Sequence, residues 1–245
     1  MHIYKNETID DLGISNLKII QKKKGFKFGI DAVLLADFVK VPPNTKLIDL
    51  CSGSGIIALL LYAHYSPIKV DAVEIQETYA EMAKRSVELN NLENIITVYN
   101  DDLKNTKNYL EGGSYTAVVC NPPYKKANSG LRSECDEIAI AREEICTTLN
   151  DIALCAKYLL KEGGKLCLVH RPERLSEIII TLKANNLSVK RLRFVHKNYE
   201  SPPTLVLIEA QKNRQEGLIV EKPLILYDNN GYESCELRRI YRRKD

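Results

Sequence analysis

The stretch Lys46–Tyr62 limits the folds open to this chain more than any other. Lys46-Leu47-Ile48-Asp49-Leu50-Cys51 is an apolar run that reads as a buried strand. It passes directly into Ser52-Gly53-Ser54-Gly55, and Ile56–Tyr62 then reads as a helix. The two glycines permit positive φ and let a ligand approach the main chain closely. The dinucleotide pattern G-x-G-x-x-G fails here, because Ala58 stands where its third glycine belongs and an acid, Asp49, precedes the turn. A pyrophosphate would be repelled by that carboxylate. A cationic ligand, such as a sulfonium or an ammonium, would not.

The elements that follow repeat the alternation. Lys69–Ile75 reads as a second strand ending in Glu74, where an acid commonly accepts both hydroxyls of a ribose. Ile96–Tyr99 reads as a third and ends at Asn100-Asp101-Asp102, with Asp102 placed to accept from an adenine amine. Tyr115–Cys120 is a fourth. An amphipathic helix is expected near 143–161, ended by Glu162-Gly163-Gly164, then a strand at Lys165–Val169, a helix at Glu173–Asn185 and a strand at Val189–His196. Thr204–Glu209 reads as the last strand. No helix separates the final two strands, so they are expected to pair antiparallel at one edge. The seven strands predict an α/β fold with a doubly wound, mainly parallel, Rossmann-like sheet. Ligands then bind beyond the carboxyl ends of the strands, where every acid named above falls. With no internal repeat and no interdomain linker, residues 1–245 read as a single domain, with a flank at 1–45, a core at 46–212 and an extension at 213–245.

The fourth strand ends in Asn121-Pro122-Pro123-Tyr124, which suits one chemical problem: attack by the nitrogen of a planar amide or aryl amine. Its lone pair is delocalised and poorly nucleophilic. The Asn121 side-chain oxygen and the Pro122 carbonyl are suited to accept the two N–H groups and favour a pyramidal nitrogen, which binds the transition state better than the ground state. The prolines stiffen the turn, and Tyr124 offers a ring for a flat substrate to stack on. Asp49, Gly53, Gly55, Glu74, Asp102 and Asn121 form an ordered set, each at a strand's end.

Together these stretches are similar to the class I S-adenosylmethionine-dependent methyltransferases, and within them to the amino-methyltransferases that carry Asn-Pro-Pro-Tyr. Gly25–Phe38, Asp49–Gly55, Val73–Gln76, Lys165–Arg174 and Lys190–His196 resemble most closely the bacterial tRNA adenine-N6 methyltransferases that act beside the anticodon of a valine tRNA. The resemblance covers nearly the whole chain. It implies S-adenosyl-L-methionine as cofactor, held by Asp49, Gly53 and Gly55 at its methionine end, by Glu74 at the ribose, and by Ile75 and Asp102 at the adenine. Phe28 and Asp31 are expected to close that pocket. Asn121, Pro122 and Tyr124 are expected to hold the target adenine, and no strong base is required because the proton leaves a cationic nitrogen after transfer. Lys197–Pro203 is individual to this chain, so no substrate contact there follows from the resemblance. A protein-glutamine methyltransferase is the alternative, since the motif also suits a side-chain amide, but those enzymes usually carry a helical N-terminal domain and only 45 residues precede the cofactor strand. An rRNA amine methyltransferase and an inactive cofactor-dependent RNA-binding module are the others.

Composition bounds the reading. A net charge of +3 is too small to prove a nucleic-acid partner. Seven cysteines occur without a C-x-x-C pair; Cys51, Cys120, Cys155 and Cys167 read as small buried hydrophobes in a reducing cytoplasm, so no disulfide framework or metal site is expected. The four histidines are unclustered and read as structural. Neither a signal peptide nor a membrane-length apolar run is present, and a cytoplasmic protein is expected. Basic residues recur at Lys22–Lys24, Lys27, Lys125-Lys126, Arg171, Arg174, Lys190–Lys197 and Arg238–Lys244, and their number around the expected site favours phosphate binding. Residues 125–141 read as a mobile lid or substrate loop. Oligomeric state is not legible.

Overall fold

The computed structural model describes residues 2–24, 27–66, 68–124 and 147–241. Lys125, Lys126, the loop expected at 125–141, the start of the helix expected near 143, and Arg242–Lys244 lie outside the described residues.

The N-terminal flank, which the apolar pattern left unassigned, forms an antiparallel hairpin of β1 (Glu7–Asp11) and β2 (Lys18–Lys22). Then come α1 (Ile30–Phe38), β3 (Thr45–Leu50), α2 (Ile56–Tyr65), β4 (Ile68–Glu74), α3 (Glu77–Leu89), β5 (Ile96–Asn100) and β6 (Tyr115–Cys120). Beyond the undescribed stretch lie α4 (Leu149–Leu159), β7 (Leu160–His170), α5 (Leu175–Ala184), β8 (Leu187–His196) and β9 (Pro203–Lys212). Two short strands, β10 (Ile219–Val220) and β11 (Leu224–Ile225), and a helix α6 (Cys235–Ile240) follow, so Thr204–Glu209 is not in the last strand.

The sheet runs β10-β8-β9-β7-β6-β3-β4-β5, with β11 also on β8. Strands β3, β4, β5, β6 and β7 pair in parallel. The antiparallel part lies toward one edge, as expected, and the structure adds how: β9 is inserted between β7 and β8 and runs against both. Because β8 returns to the direction of β7, its end at His196 lies on the same side of the sheet as the ends of β3, β6 and β7.

Strict alternation within near-continuous apolar strands builds two cores. Leu47, Ala117, Val119, Cys167 and Val169 pack on one face with α1 and α2. Ile48, Leu50, Val118, Cys120, Leu166 and Leu168 pack on the other with α4 and α5. That is why these strands read as unbroken hydrophobic runs: a parallel sheet is covered on both faces. Helix α2 lacks a polar face because nearly all of it is buried. Helix α4 starts at a capping box in which Thr148 Oγ accepts from the Asp151 amide at 3.2 Å and Asp151 Oδ2 accepts from the Thr148 amide at 2.9 Å.

The hairpin is pinned to α3 by a buried ion pair. Arg85 Nη1 and Nη2 donate to the two Glu7 oxygens at 2.7 Å each, and the Tyr4 amide donates to Glu7 at 3.0 Å. The guanidinium holds the Glu7 carboxyl below its usual value of 4.5. Removing one partner strands the other charge away from water. Arg85→Ala is therefore expected to cost about 3–5 kcal/mol by urea unfolding at pH 7. The wild type's share of this stability is present above pH 4.5 and is lost as pH falls through the lowered folded value. A variant as stable as wild type at pH 7 would contradict this.

Candidate active site

The glycine turn is built from left-handed residues. Cys51, Gly53 and Gly55 have φ of 59°, 55° and 84°. At Gly55 a side chain is doubly excluded, since a Cβ would also lie 3.1 Å from Ala83 Cβ on α3. The turn is then clamped by Glu74 at the end of β4: its Oε2 accepts from the Gly53 amide at 2.8 Å and its Oε1 from the Gln76 amide at 2.9 Å. Burial raises the Glu74 pKa, and these amide bonds oppose the shift.

Beneath the turn lies Asp49. It is 0 % exposed, and neither carboxyl oxygen accepts a hydrogen bond of good geometry, the Ala58 amide being the backbone donor beside it. Burial, and then the charge of Glu74, pushes its pKa well above the usual value, with only the Ala58 amide opposing. Ser52 Oγ is likewise buried and unpartnered. Two buried carboxyl groups, one without a hydrogen bond of good geometry, beside the glycine turn fit a ligand that carries positive charge and hydroxyl donors.

Above the turn opens a cleft of about 880 Å³, counting the part open to solvent. Its walls include the expected Phe28, Gly53, Glu74, Ile75 and Asn121, and also Cys51, Ser52, Ser54, Gln76, Tyr79, Asp101, Leu103, Pro123 and Thr147. Ile75 is an exposed apolar side chain on this wall. Gly55 shapes the turn from behind, and Pro122 is buried between Asn121 and Pro123.

Asp102 is not among the residues that line the cleft. It caps a short 3-10 turn, accepting from the Lys104 amide at 3.0 Å and pairing with Lys104 Nζ at 3.1 Å. Its neighbour Asp101 lines the cleft instead. An Asp just before a helical turn is an N-cap pattern, and that signal was present in the sequence.

Asp31, like Asp49, is not among the residues that line the cleft; it sits against the motif at the end of β6. Tyr124 Oη lies 2.5 Å from Asp31 Oδ2 and 2.6 Å from Asn121 Oδ1. The Arg171 guanidinium lies over the Tyr124 ring at 5.3 Å and donates to the Thr204 carbonyl at 3.1 Å. The fully buried His170 ring packs 5.2 Å from the Tyr124 ring, with Nδ1 accepting from the Arg171 amide. Burial, then the Arg174 charge, lowers the His170 pKa to about 4, so it is neutral at pH 7.

The basic clusters divide. Arg171 is exposed at the mouth. Arg174 is buried at 9 %, paired with Glu177, and reaches the Tyr124 carbonyl at 3.5 Å, so it pins the motif's backbone and is not presented to solvent. Arg191 is held by Glu209, Glu221 and the Phe38 carbonyl, and Arg193 by Glu236. Arg239 meets Asp37. The phosphate-binding expectation for β8 thus fails for its arginines: they tie the sheet edge to its surroundings. Among the described residues no group of three or more His, Cys, Asp or Glu is arranged to hold a metal, and no helix is long and apolar enough to cross a membrane.

Comparison with known proteins agrees with this geometry. Residues 25–192 match the model of the methyltransferase small domain. The chain belongs to that family. Among curated relatives, the tRNA1(Val) (adenine(37)-N6)-methyltransferase of Pectobacterium carotovorum is 27 % identical over 78 % of this chain and 76 % of its own. That of Vibrio campbellii is 25 % identical over 93 % of both, and that of Erwinia tasmaniensis 32 % over 62 % of this chain and 61 % of its own. A solved structure of a predicted O-methyltransferase from Agrobacterium tumefaciens is similar with a TM-score of 0.71, at 23 % identity over 86 % of this chain and 95 % of that one. Geranyl diphosphate C-methyltransferase from Streptomyces coelicolor, solved with S-adenosyl-L-homocysteine, is similar at 0.55, with 14 % identity over 75 % of this chain and 80 % of that one. The chain therefore carries a methyltransferase domain on a Rossmann-like sheet.

The orphan carboxylate has a measurable signature. Asp49→Asn removes a charge that is costly to keep buried. The ligand-free variant is expected to unfold at a higher temperature than wild type at pH 7–8. The sign follows from a raised folded pKa: the cost is absent below the unfolded value near 3.8 and grows as pH rises, so the gap closes toward pH 4. Equal melting temperatures across that range would contradict the placement of Asp49.

Proposed function

We propose that this protein transfers a methyl group from S-adenosyl-L-methionine to the exocyclic N6 amine of an adenine in tRNA. The observation that carries the reading is that Asn121, at the end of β6, shares one cleft with Gly53 and Glu74 of the clamped turn. The names of the relatives support the substrate class. When bound, the cofactor supplies an electrophilic methyl on a sulfonium. Asp49 and the Gly53–Gly55 turn hold its methionine end, Glu74 the ribose hydroxyls and Ile75 the adenine face, with the strand end at Asp101-Asp102 beside it.

Asn121 and the Pro122 carbonyl accept from the target amine and draw it toward a pyramidal shape, and Tyr124 carries the base. A base that stacks on Tyr124 takes the place now held by Arg171, whose exposed guanidinium is then available to a phosphate. Lys125 and Lys126 follow the motif in sequence and would serve the same anion. The whole chain acts as one cytoplasmic domain, with 46–212 as its core and 1–45 and 213–245 as flanks. No metal takes part.

Asn121→Ala is expected to keep cofactor affinity and to lose transfer by roughly 10²–10³-fold in single-turnover assays. Glu74→Ala is expected to weaken cofactor binding by about 1.5–3 kcal/mol, since both the hydroxyl acceptor and the clamp on Gly53 are lost. Full turnover by the first variant, or unchanged calorimetric affinity in the second, would sink these roles. For the substrate, a tRNA pool, ribosomal RNA and a release factor are offered in parallel with labelled cofactor. N6-methyladenine in tRNA nucleosides by mass spectrometry is expected. Label confined to ribosomal RNA or to protein would move the assignment to an rRNA or a glutamine methyltransferase. Cofactor binding with no label would favour an inactive binding module.

A further inference from the structure

A phenol has one proton to give, yet Tyr124 Oη touches oxygens on two sides: Asp31 Oδ2 at 2.5 Å and Asn121 Oδ1 at 2.6 Å. Both cannot accept it. The carboxylate is the stronger acceptor, and 2.5 Å is the length of a charge-assisted O–H···O⁻ bond. Burial and the Asp31 charge raise the Tyr124 pKa well above the usual value, so the proton stays on the pair. The phenol oxygen then has only lone pairs to offer Asn121. A carboxamide's oxygen and nitrogen ends have the same shape, and hydrogen bonding alone decides which end faces a neighbour. With the phenol proton committed to Asp31, the NH2 end belongs against Tyr124 and the oxygen end turns away, toward the cleft that Asn121 lines.

We propose that Asp31 is a positioning residue that, through the Tyr124 hydroxyl, sets the Asn121 carboxamide with its oxygen toward the target amine. Asp31 lies in the first turn of α1, 90 positions before Asn121 in the chain, and its Oδ1 accepts from the Ala32 amide at 3.0 Å. The carboxylate therefore arrives already anchored. The inference rests on reading Asn121 as the acceptor for that amine. It makes a specific claim about variants. In Asp31→Asn the new amide donates to Tyr124, the phenol proton passes to Asn121, and the acceptor oxygen is occupied. Tyr124→Phe keeps the ring but removes both proton and acceptor, so Asn121 is freed without being blocked.

The test has two arms. In the first, NMR of the ligand-free protein follows the Asn121 side-chain NH2, assigned by its loss in Asn121→Ala. Slow exchange with water is expected in wild type, and exchange faster on the order of tenfold in Asp31→Asn. In the second, single-turnover transfer to the acceptor that wild type labels is expected to fall about 10²-fold in Asp31→Asn, with cofactor affinity unchanged. Tyr124→Phe is expected to lose less, on the order of tenfold. The double variant should return to the Tyr124→Phe level and so be faster than Asp31→Asn alone, a rescue that mere loss of packing would not produce. Losses that multiply in the double variant, or NH2 exchange unmoved by Asp31→Asn, would overturn the proposal. If wild type labels protein and not RNA, the tRNA reading falls but the relay is still judged, because a side-chain amide needs the same acceptor. If wild type labels nothing, the NMR arm decides alone.

Discussion

The site depends on two carboxylates that the fold places side by side without a cation between them. Asp49 is the penultimate residue of β3, paired with Ala72, and Glu74 ends the neighbouring parallel strand two residues on, so the sheet brings them near each other. Glu74 spends its charge on backbone amides and so holds the glycine turn in shape. Asp49 has only the Ala58 amide to set against its burial. A buried carboxylate without a good partner is among the least favourable groups a protein can carry, and either protonation or an arriving cation relieves it. A sulfonium or ammonium brought beside Asp49 would stabilise its ionised form. The two apolar layers around β3 and β6 keep water from relieving it first.

That arrangement also explains why the chemistry can sit at the end of β6. In the parallel register Leu50 pairs with Cys120, so the residues that follow, Cys51 and Asn121, emerge at the same level of the sheet. The turn and the motif thus face one cleft from adjacent strands. His170, at the end of the next strand, seals the back of Tyr124 as a neutral ring, and Arg174 ties the motif's main chain to α5. The motif is held on several sides, which matters when a weak nucleophile must be oriented within a fraction of an ångström.

Much of this was legible in the sequence because parallel strands buried on both faces announce themselves as short apolar runs. The run Tyr115–Cys120 matched its strand end to end, and Gly53, Glu74 and Asn121, expected at strand ends, line one cleft. What was not legible has physical reasons. The hairpin at 7–22 is held by Arg85, far away in sequence, and the alternation of its strands is weak. Asp101 and Asp102 are adjacent at one strand end, and a linear pattern cannot tell which caps the following turn and which lines the cleft. The arginines of β8 looked free because a linear pattern cannot show that Glu209, Glu221 and Glu236 return to meet them. The bond between Asp31 and Tyr124 spans 93 positions, so no local pattern shows it.

The most direct test of the central claim, that Asp49 awaits the cofactor's positive charge, is the proton balance of binding. S-adenosyl-L-methionine is titrated calorimetrically between pH 5 and 8 in buffers of different ionisation heat. A cation beside Asp49 must lower its raised pKa, so wild type is expected to release protons on binding within part of this range, and Asp49→Asn to release fewer. Proton release identical in the two proteins, with equal affinity, would contradict the account.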